Sequence, residues 1–425
     1  MKDESSKTKD FLKGSTENKN LKVLSLFSGC GGLDLGFEGG FPILKSQYNK
    51  LVNPHWKIKD LDKTHILLPR TRFETVFAND IKPDAKIVWD NYFRRDSSIF
   101  KVASIVELVK SHNAELINFP DSIDVVTGGF PCQDFSVSGK RLGFNSKKSH
   151  SNQSIVIDAP CIENRGNLYI WMREVIRITK PKIFVAENVK GLVSLGDAKK
   201  IIESDFRNIS DGGYLVFPSR VLMAADYGVS QSRERVIFIG VHKKSLANGI
   251  LSKLEDLEKN MDLDPYPQVT HSKQLDPILK PYVKVSEVLH GLLEPDKTED
   301  EDQKIYSKAK YLGRKLQGQI EINLDGISPT IRSEHHGNIE FRRLSELNGG
   351  KYINELNKGM IERRLTIREC ARIQSFPDNY AFIKKGINGV SGSKAYKLIG
   401  NAVPPLLGFH IAKRLEDLWP IYFEE

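Results

Sequence analysis

The residue best placed to do chemistry is the cysteine of the run Gly128-Gly129-Phe130-Pro131-Cys132-Gln133. It directly follows the apolar stretch Ile123-Asp124-Val125-Val126, which puts its thiol at the carboxyl end of a buried strand, on a loop that two glycines let bend sharply. A free cysteine taken alone is more often a small buried hydrophobe. Presented on such a loop, it suits a nucleophile, which acts as the thiolate and is helped by nearby positive charge. A second chemical centre is the turn Ser28-Gly29-Cys30-Gly31-Gly32 after the strand-like run 21–27. Glycine-rich turns in this position commonly bind a nucleotide. The glycines at 29, 31, 32 and 36 do not make the dinucleotide pattern, because Asp34 holds its third position, and a nicotinamide reading is weakened.

These loops need a scaffold. Short apolar runs at 22–27, 75–78, 124–126, 183–186 and 236–241 alternate with helical patterns, which predicts βαβ units and a doubly wound, mostly parallel α/β sheet with its ligands at the carboxyl ends of the strands. From about 243 to 362 the pattern becomes irregular; the acidic stretch 294–302 reads as a solvated loop. Helical periodicity returns at Leu365, and a last helix is predicted over 405–419. The expected divisions are a disordered tail at 1–20, a catalytic and cofactor-binding domain at 21–242, a smaller irregular domain at 243–362, and a return to the first domain at 363–425. Net charge is +9, compatible with a polyanionic partner. The four cysteines show no zinc-site spacing and no disulfide framework, and no apolar run reaches membrane-spanning length, so an intracellular chain is expected.

Further motifs follow in a fixed order. Val185-Ala186-Glu187-Asn188-Val189 ends a strand, and Gln231-Ser232-Arg233-Glu234-Arg235 leads into Val236 to Gly240. Arg364-Leu365-Thr366-Ile367-Arg368-Glu369-Cys370-Ala371-Arg372 opens a helix before Phe376-Pro377-Asp378, and Gly400-Asn401-Ala402-Val403-Pro404-Pro405 closes the set. With the proline-cysteine run at the centre, they resemble the motifs of the DNA (cytosine-5)-methyltransferase family of bacterial restriction-modification systems, from about residue 21 to about 413.

The resemblance implies a cofactor, S-adenosylmethionine. Phe27 would face its sulfonium, Ser28, Gly29, Gly31 and Gly32 would form its turn, Asp80 would take the ribose hydroxyls, Ile81 would pack on adenine, and Leu168, Asn401 and Val403 would complete the pocket. It implies roles as well. Cys132 adds to carbon 6 of cytosine, Glu187 holds ring N3 and the exocyclic amine, Arg235 contacts the ring carbonyl, Arg233 and Gln231 support the pocket, and Asn188 positions the loop. The base must be flipped out of double-stranded DNA. The segment 136–141 resembles a loop that closes over DNA, with Ser138, Lys140 and Arg141 as contacts, and Arg332, Arg342 and Arg343 of the irregular domain are candidates for reading bases or holding phosphate.

Departures from the family are visible. About thirty residues around 41–70 intervene before Asp80, Ser104 stands where an acidic residue often meets the adenine, and 145–162 is an insertion read as a surface excursion. The expected protein is a monomeric DNA cytosine-5 methyltransferase of the bacterial cytoplasm and nucleoid, paired in function with a restriction endonuclease without a stable complex. Two alternatives stand beside it: a tRNA cytosine-5 methyltransferase on the same scaffold, whose Cys-Phe-Thr signature is absent here, and a catalytically inactive DNA-binding relative.

Overall fold

Alternating apolar residues build a central sheet whose two faces are both covered. A computed structural model describes residues 19–131, 168–210, 213–316, 318–333, 339–386 and 389–423; Cys132, Ser138, Lys140, Arg141, the insertion at 145–162 and residues 335–338 lie outside the described residues. The chain enters with β1 (Leu21–Leu26) and α1 (Gly32–Glu38), then makes an excursion through β2 (Pro42–Leu44), β3 (Lys59–Asp60) and β4 (His65–Leu67). It returns with β5 (Phe73–Asp80), α2 (Pro83–Phe93), β6 (Phe100–Val102), α3 (Ile105–Asn113), β7 (Val125–Gly129), α4 (Leu168–Thr179) and β8 (Ile183–Val189). After α5 (Ala198–Arg207) come β9 (Tyr214–Val216), β10 (Arg220–Met223) and β11 (Glu234–His242).

The sheet order is β10-β11-β8-β7-β1-β5-β6, with β9 also paired to β11. Strands β6, β5, β1, β7 and β8 are parallel, and the β11 edge is antiparallel. Neighbouring residues point to opposite faces: Val23, Val125, Ile183 and Ile237 join one core cluster, and Leu24, Val126, Phe184 and Phe238 join the other. Strands buried on both faces read as continuous apolar runs, which is why these were legible.

Beyond β11 the elements are short: α6 (Ile250–Glu255), β12 (His271–Ser272), β13 (Lys280–Pro281), α7 (Val285–Val288), α8 (Glu301–Lys304), β14 (Phe341–Arg343), α9 (Ile353–Asn357) and β15 (Arg363–Arg364). The chain ends in α10 (Ile367–Ile373), α11 (Gly392–Asn401) and α12 (Pro405–Phe423).

One expectation is revised here, that of the acidic stretch, and two further features come into view. The division at 362/363 cuts a strand pair, since β14 is antiparallel to β15, and Ile322, Ile331 and Ile339 share a core cluster with Leu21 and Val23. The acidic stretch 294–302 is only in part a solvated loop: Asp296 and Glu299 are exposed, but Glu294, Asp300 and Asp302 are engaged. Glu294 bonds Arg343 and Arg363, each at 2.9 Å, Asp300 bonds Arg368 at 2.6 Å, and Asp302, 1% exposed, accepts from Phe382 and Ile383 main-chain N–H groups. The charges of these three acids neutralise arginines buried by the fold. The intervening residues 41–70 form a three-stranded sheet, β2-β4-β3, seated on α12 through Trp56, whose ring meets Phe409 edge-on at 5.0 Å.

Candidate active site

At the carboxyl ends of the central strands, β7 delivers the cysteine loop and β8 delivers an acid. Gly129 lies opposite Glu187 in the register, and a Cβ on Gly129 would stand 2.8 Å from Glu187 Oε2, so any larger residue there would displace the acid's carboxyl. Glu187 is 7% exposed, and its Oε1 lies 2.6 Å from Arg235 Nε at the start of β11. Burial pushes the Glu187 carboxyl above the usual range, while Arg235 and Arg233 pull it back. Asn188, fully buried, donates from Nδ2 to the Phe130 carbonyl at 3.1 Å, two residues before Cys132. The arrangement is a carboxyl able to hold or pass a proton beside a fixed cation, at the foot of the loop that carries the thiol.

Arg233 belongs to a different layer. It is 0% exposed, and its guanidinium donates to the Ile331 and Gly400 carbonyls at 3.1 and 2.9 Å. Its hydrogen bonds brace the turn at 230–233 against 331 and 400, while its charge acts on Glu187. Gln231 braces the same turn, accepting the Ile331 N–H and donating to Gln374 Oε1 at 2.6 Å. Gln374, which in turn donates to the Ala402 carbonyl at 2.7 Å, was not legible beforehand, because its partners lie far away in sequence.

The glycine turn sits beside this centre on β1. Phe27 is half-buried with φ +53°, and its N–H donates to Asn79 Oδ1 at 3.3 Å. Asn79 is a second residue that sequence reading missed; the Asn-Asp pair ending β5 is its only signal. Asp80 accepts the Gly29 N–H at 3.1 Å and the Lys82 N–H at 3.0 Å, leaving lone pairs free for a diol. Gly29 has φ +55°, and a Cβ there would meet nothing within 4 Å, so this side of the turn is open; Ile81, next to Asp80, is 38% exposed. Gly31 caps α1 at φ 83°, and Gly32 lies against Val403 and Ala402, which brings the last motif to the first. Leu168 begins α4 and is buried, while Asn401 ends α11 and is exposed.

An open turn, a strand-end carboxylate and an exposed aliphatic face fit a nucleoside. Asp34 is explained by structure: buried, it accepts from Ser25 Oγ at 2.5 Å and Trp89 Nε1 at 2.8 Å, and Ser28 Oγ donates to Ser25 Oγ at 2.7 Å. Ser104 caps α3, accepting the Val106 N–H at 3.3 Å in a capping box with Glu107.

The three arginines expected at DNA do not share one environment. Arg343 is 0% exposed and bonds Glu355 at 2.6 Å, Glu294 at 2.9 Å and the Ile361 carbonyl, so it holds the fold and cannot reach a base. Arg342 is paired with Glu355 at 3.0 Å. Arg332 is half-buried, with its backbone against Gly400.

Comparison with known proteins follows this geometry. The profile of the C-5 cytosine-specific DNA methylases matches residues 21–417. The chain is 31% identical to the Type II methyltransferase M.BspRI of Lysinibacillus sphaericus, covering 96% of this chain and 84% of that protein. It is 30% identical to M.BsuRI of Bacillus subtilis, covering 95% and 81%. Among solved structures, the S. pombe Dnmt2 methyltransferase superposes with a TM-score of 0.55 at 18% identity, covering 94% of this chain and 99% of that one, a likeness of fold.

Proposed function

Because the chain belongs to the C-5 cytosine-specific DNA methylase family, we propose that it transfers a methyl group from S-adenosylmethionine to carbon 5 of a cytosine in one duplex DNA sequence, as the modification partner of a restriction system. It acts as a monomer in the bacterial cytoplasm, without a stable complex with the endonuclease. The observation that carries the reading is the buried Glu187–Arg235 pair, 2.6 Å apart, beside the end of β7 that leads into Cys132.

Carbon 5 of cytosine is too weak a nucleophile to take a methyl group directly. Cys132 adds as thiolate to carbon 6, and the displaced electron density reaches carbon 5. Glu187, whose carboxyl burial pushes above its usual range, holds N3 and stabilises the charge that develops in the ring, while Arg235 holds the ring carbonyl. Asn188 fixes the approach of the cysteine loop through Phe130. Phe27, the turn at Ser28, Gly29, Gly31 and Gly32, and Asp80 with Ile81 hold the cofactor, with Leu168, Asn401 and Val403 around it. When bound, S-adenosylmethionine supplies the electrophilic methyl group. Loss of the carbon 5 proton and elimination of Cys132 release the product.

Bisulfite sequencing of plasmid DNA from cells expressing the protein tests this. The expected result is protected cytosines at one position of one short sequence. Methylation of tRNA with none on duplex DNA would overturn it.

A further inference from the structure

The excursion between α1 and β5 is strongly cationic. Residues 41–70 carry Lys45, Lys50, Lys57, Lys59, Lys63 and Arg70 against Asp60 and Asp62 only. Both acids are already engaged. Asp60 pairs with Lys45 at 2.7 Å, and Asp62 accepts the Thr64 and His65 N–H groups, each at 2.7 Å. Lys50, Lys57, Lys59 and Lys63 are exposed and make no ion pair among the described residues.

A lysine-rich segment is usually just solvated, and here its placement argues for more. The excursion is locked to the edge of the molecule that carries the pocket. Gln47 Nε2 donates to the Gly228 carbonyl at 3.1 Å, and Asn49 Nδ2 donates to the Thr270 and Ile278 carbonyls at 2.9 and 2.8 Å. Gly228 lies in the connection from β10 to β11, at the end where Met223 faces Glu234 and Arg235 pairs with Glu187. Strands lie about 4.8 Å apart, so β10 stands only ~10 Å from β8. That is less than the ~12 Å width of a DNA major groove. A duplex seated on the pocket and running along this edge passes the end of the excursion anchored by Gln47 and Asn49, while His55 ties the rest to Asp417 of α12 at 3.0 Å.

We propose that the 41–70 excursion is a second DNA-contacting surface, in which Lys50, Lys57, Lys59 and Lys63 hold the phosphate backbone of duplex flanking the recognised sequence. It rests on the DNA reading above. Lysines on phosphate add affinity without reading bases, so the surface extends the footprint and leaves the target sequence unchanged.

The test compares the full-length protein with the variant Lys50→Gln, Lys57→Gln, Lys59→Gln, Lys63→Gln on duplexes of about 14 and about 40 base pairs that share one methylation site, across a salt series. On the long duplex the variant should bind more weakly, with its log-log salt slope shallower by about 3–4, since each of the four phosphate contacts contributes about 0.9. On the short duplex the two proteins should coincide. The matching Lys→Arg set should keep the wild-type slope, which separates charge from folding. An unchanged slope on the long duplex, an equal loss on the short one, or loss of slope in the arginine set would each overturn the proposal. Methylation of the short duplex by the wild type reports on the methylase reading separately.

Discussion

Glu187 stands between two opposing pulls: burial favours its neutral form, and Arg235 at 2.6 Å favours its charged one. The net shift is upward, so the protonated fraction persists above the ordinary carboxylate range and is lost as pH rises through the raised value. Glu187→Gln should lower kcat by about 10²–10³-fold while DNA affinity changes little, because the lost interaction grows with charge in the transition state. Its pH–rate profile should also lack the alkaline limb that this carboxyl gives the wild type; a retained limb assigns it to another group. Cys132→Ser should abolish methyl transfer and preserve binding of DNA and S-adenosylmethionine. Steady turnover by that variant, followed with labelled cofactor, would exclude the covalent route.

At the scale of elements, the strand pair β14–β15 and helix α10 are joined by buried charge. Arg363 bonds Glu369 and Glu294, and Arg343 bonds Glu294 and Glu355. Burial works against the Glu294 carboxylate, but hydrogen bonds from Arg363 and Arg343 hold it down at about 2. Arg343→Ala leaves Glu294 and Glu355 each short of a partner and should cost about 3–5 kcal/mol, read from denaturant unfolding. A loss of sequence specificity with no loss of stability would return Arg343 to the DNA.

The contact between the excursion and α12 has its own pH dependence. His410 lies 5.0 Å from Trp56 and 5.3 Å from Tyr227, centroid to centroid, and burial brings its pKa down to about 3. Below its ordinary value near 6.5 the unfolded chain takes up a proton that the folded chain refuses. Stability contributed by neutral His410 is therefore present above about 6.5 and lost as pH falls toward 3. Thermal melts at pH 7.5 and 5 should show a smaller drop for His410→Phe than for the wild type, and equal drops would contradict this.

Across the whole molecule, the irregular region and the central sheet are stitched along one seam. Segment 328–331 bonds the turn at 230–233 through Ser232 to the Ser328 carbonyl at 2.8 Å, Thr330 to the Ser232 carbonyl at 2.8 Å, and Arg233 to Ile331. Exchanging residues 266–360 for the matching segment of a relative should change the methylated sequence and leave S-adenosylmethionine affinity within about twofold, since the glycine turn and Asp80 lie outside it. The exchanged piece must carry an acid equivalent to Glu294, whose partner Arg363 stays behind. Bisulfite sequencing of a folded chimera that still marks the original site would place recognition elsewhere.

The sequence by itself determined the strands and the chemistry they carry. The runs at 183–186 and 236–241 are apolar because both faces of the sheet are covered, and Gly129, Glu187 and Asp80 announce themselves by type and position at strand ends. Those signals are local, so periodicity and spacing carry them. Which arginine touches what was decided only by the tertiary structure. Arg233, Arg343 and Arg235 look alike in the chain, yet one binds main-chain carbonyls, one balances Glu294 and Glu355, and one meets Glu187. The reason is that a charged side chain takes its role from its partners. Glu294 lies 49 residues from Arg343 and Gly400 lies 167 from Arg233, distances no local pattern spans.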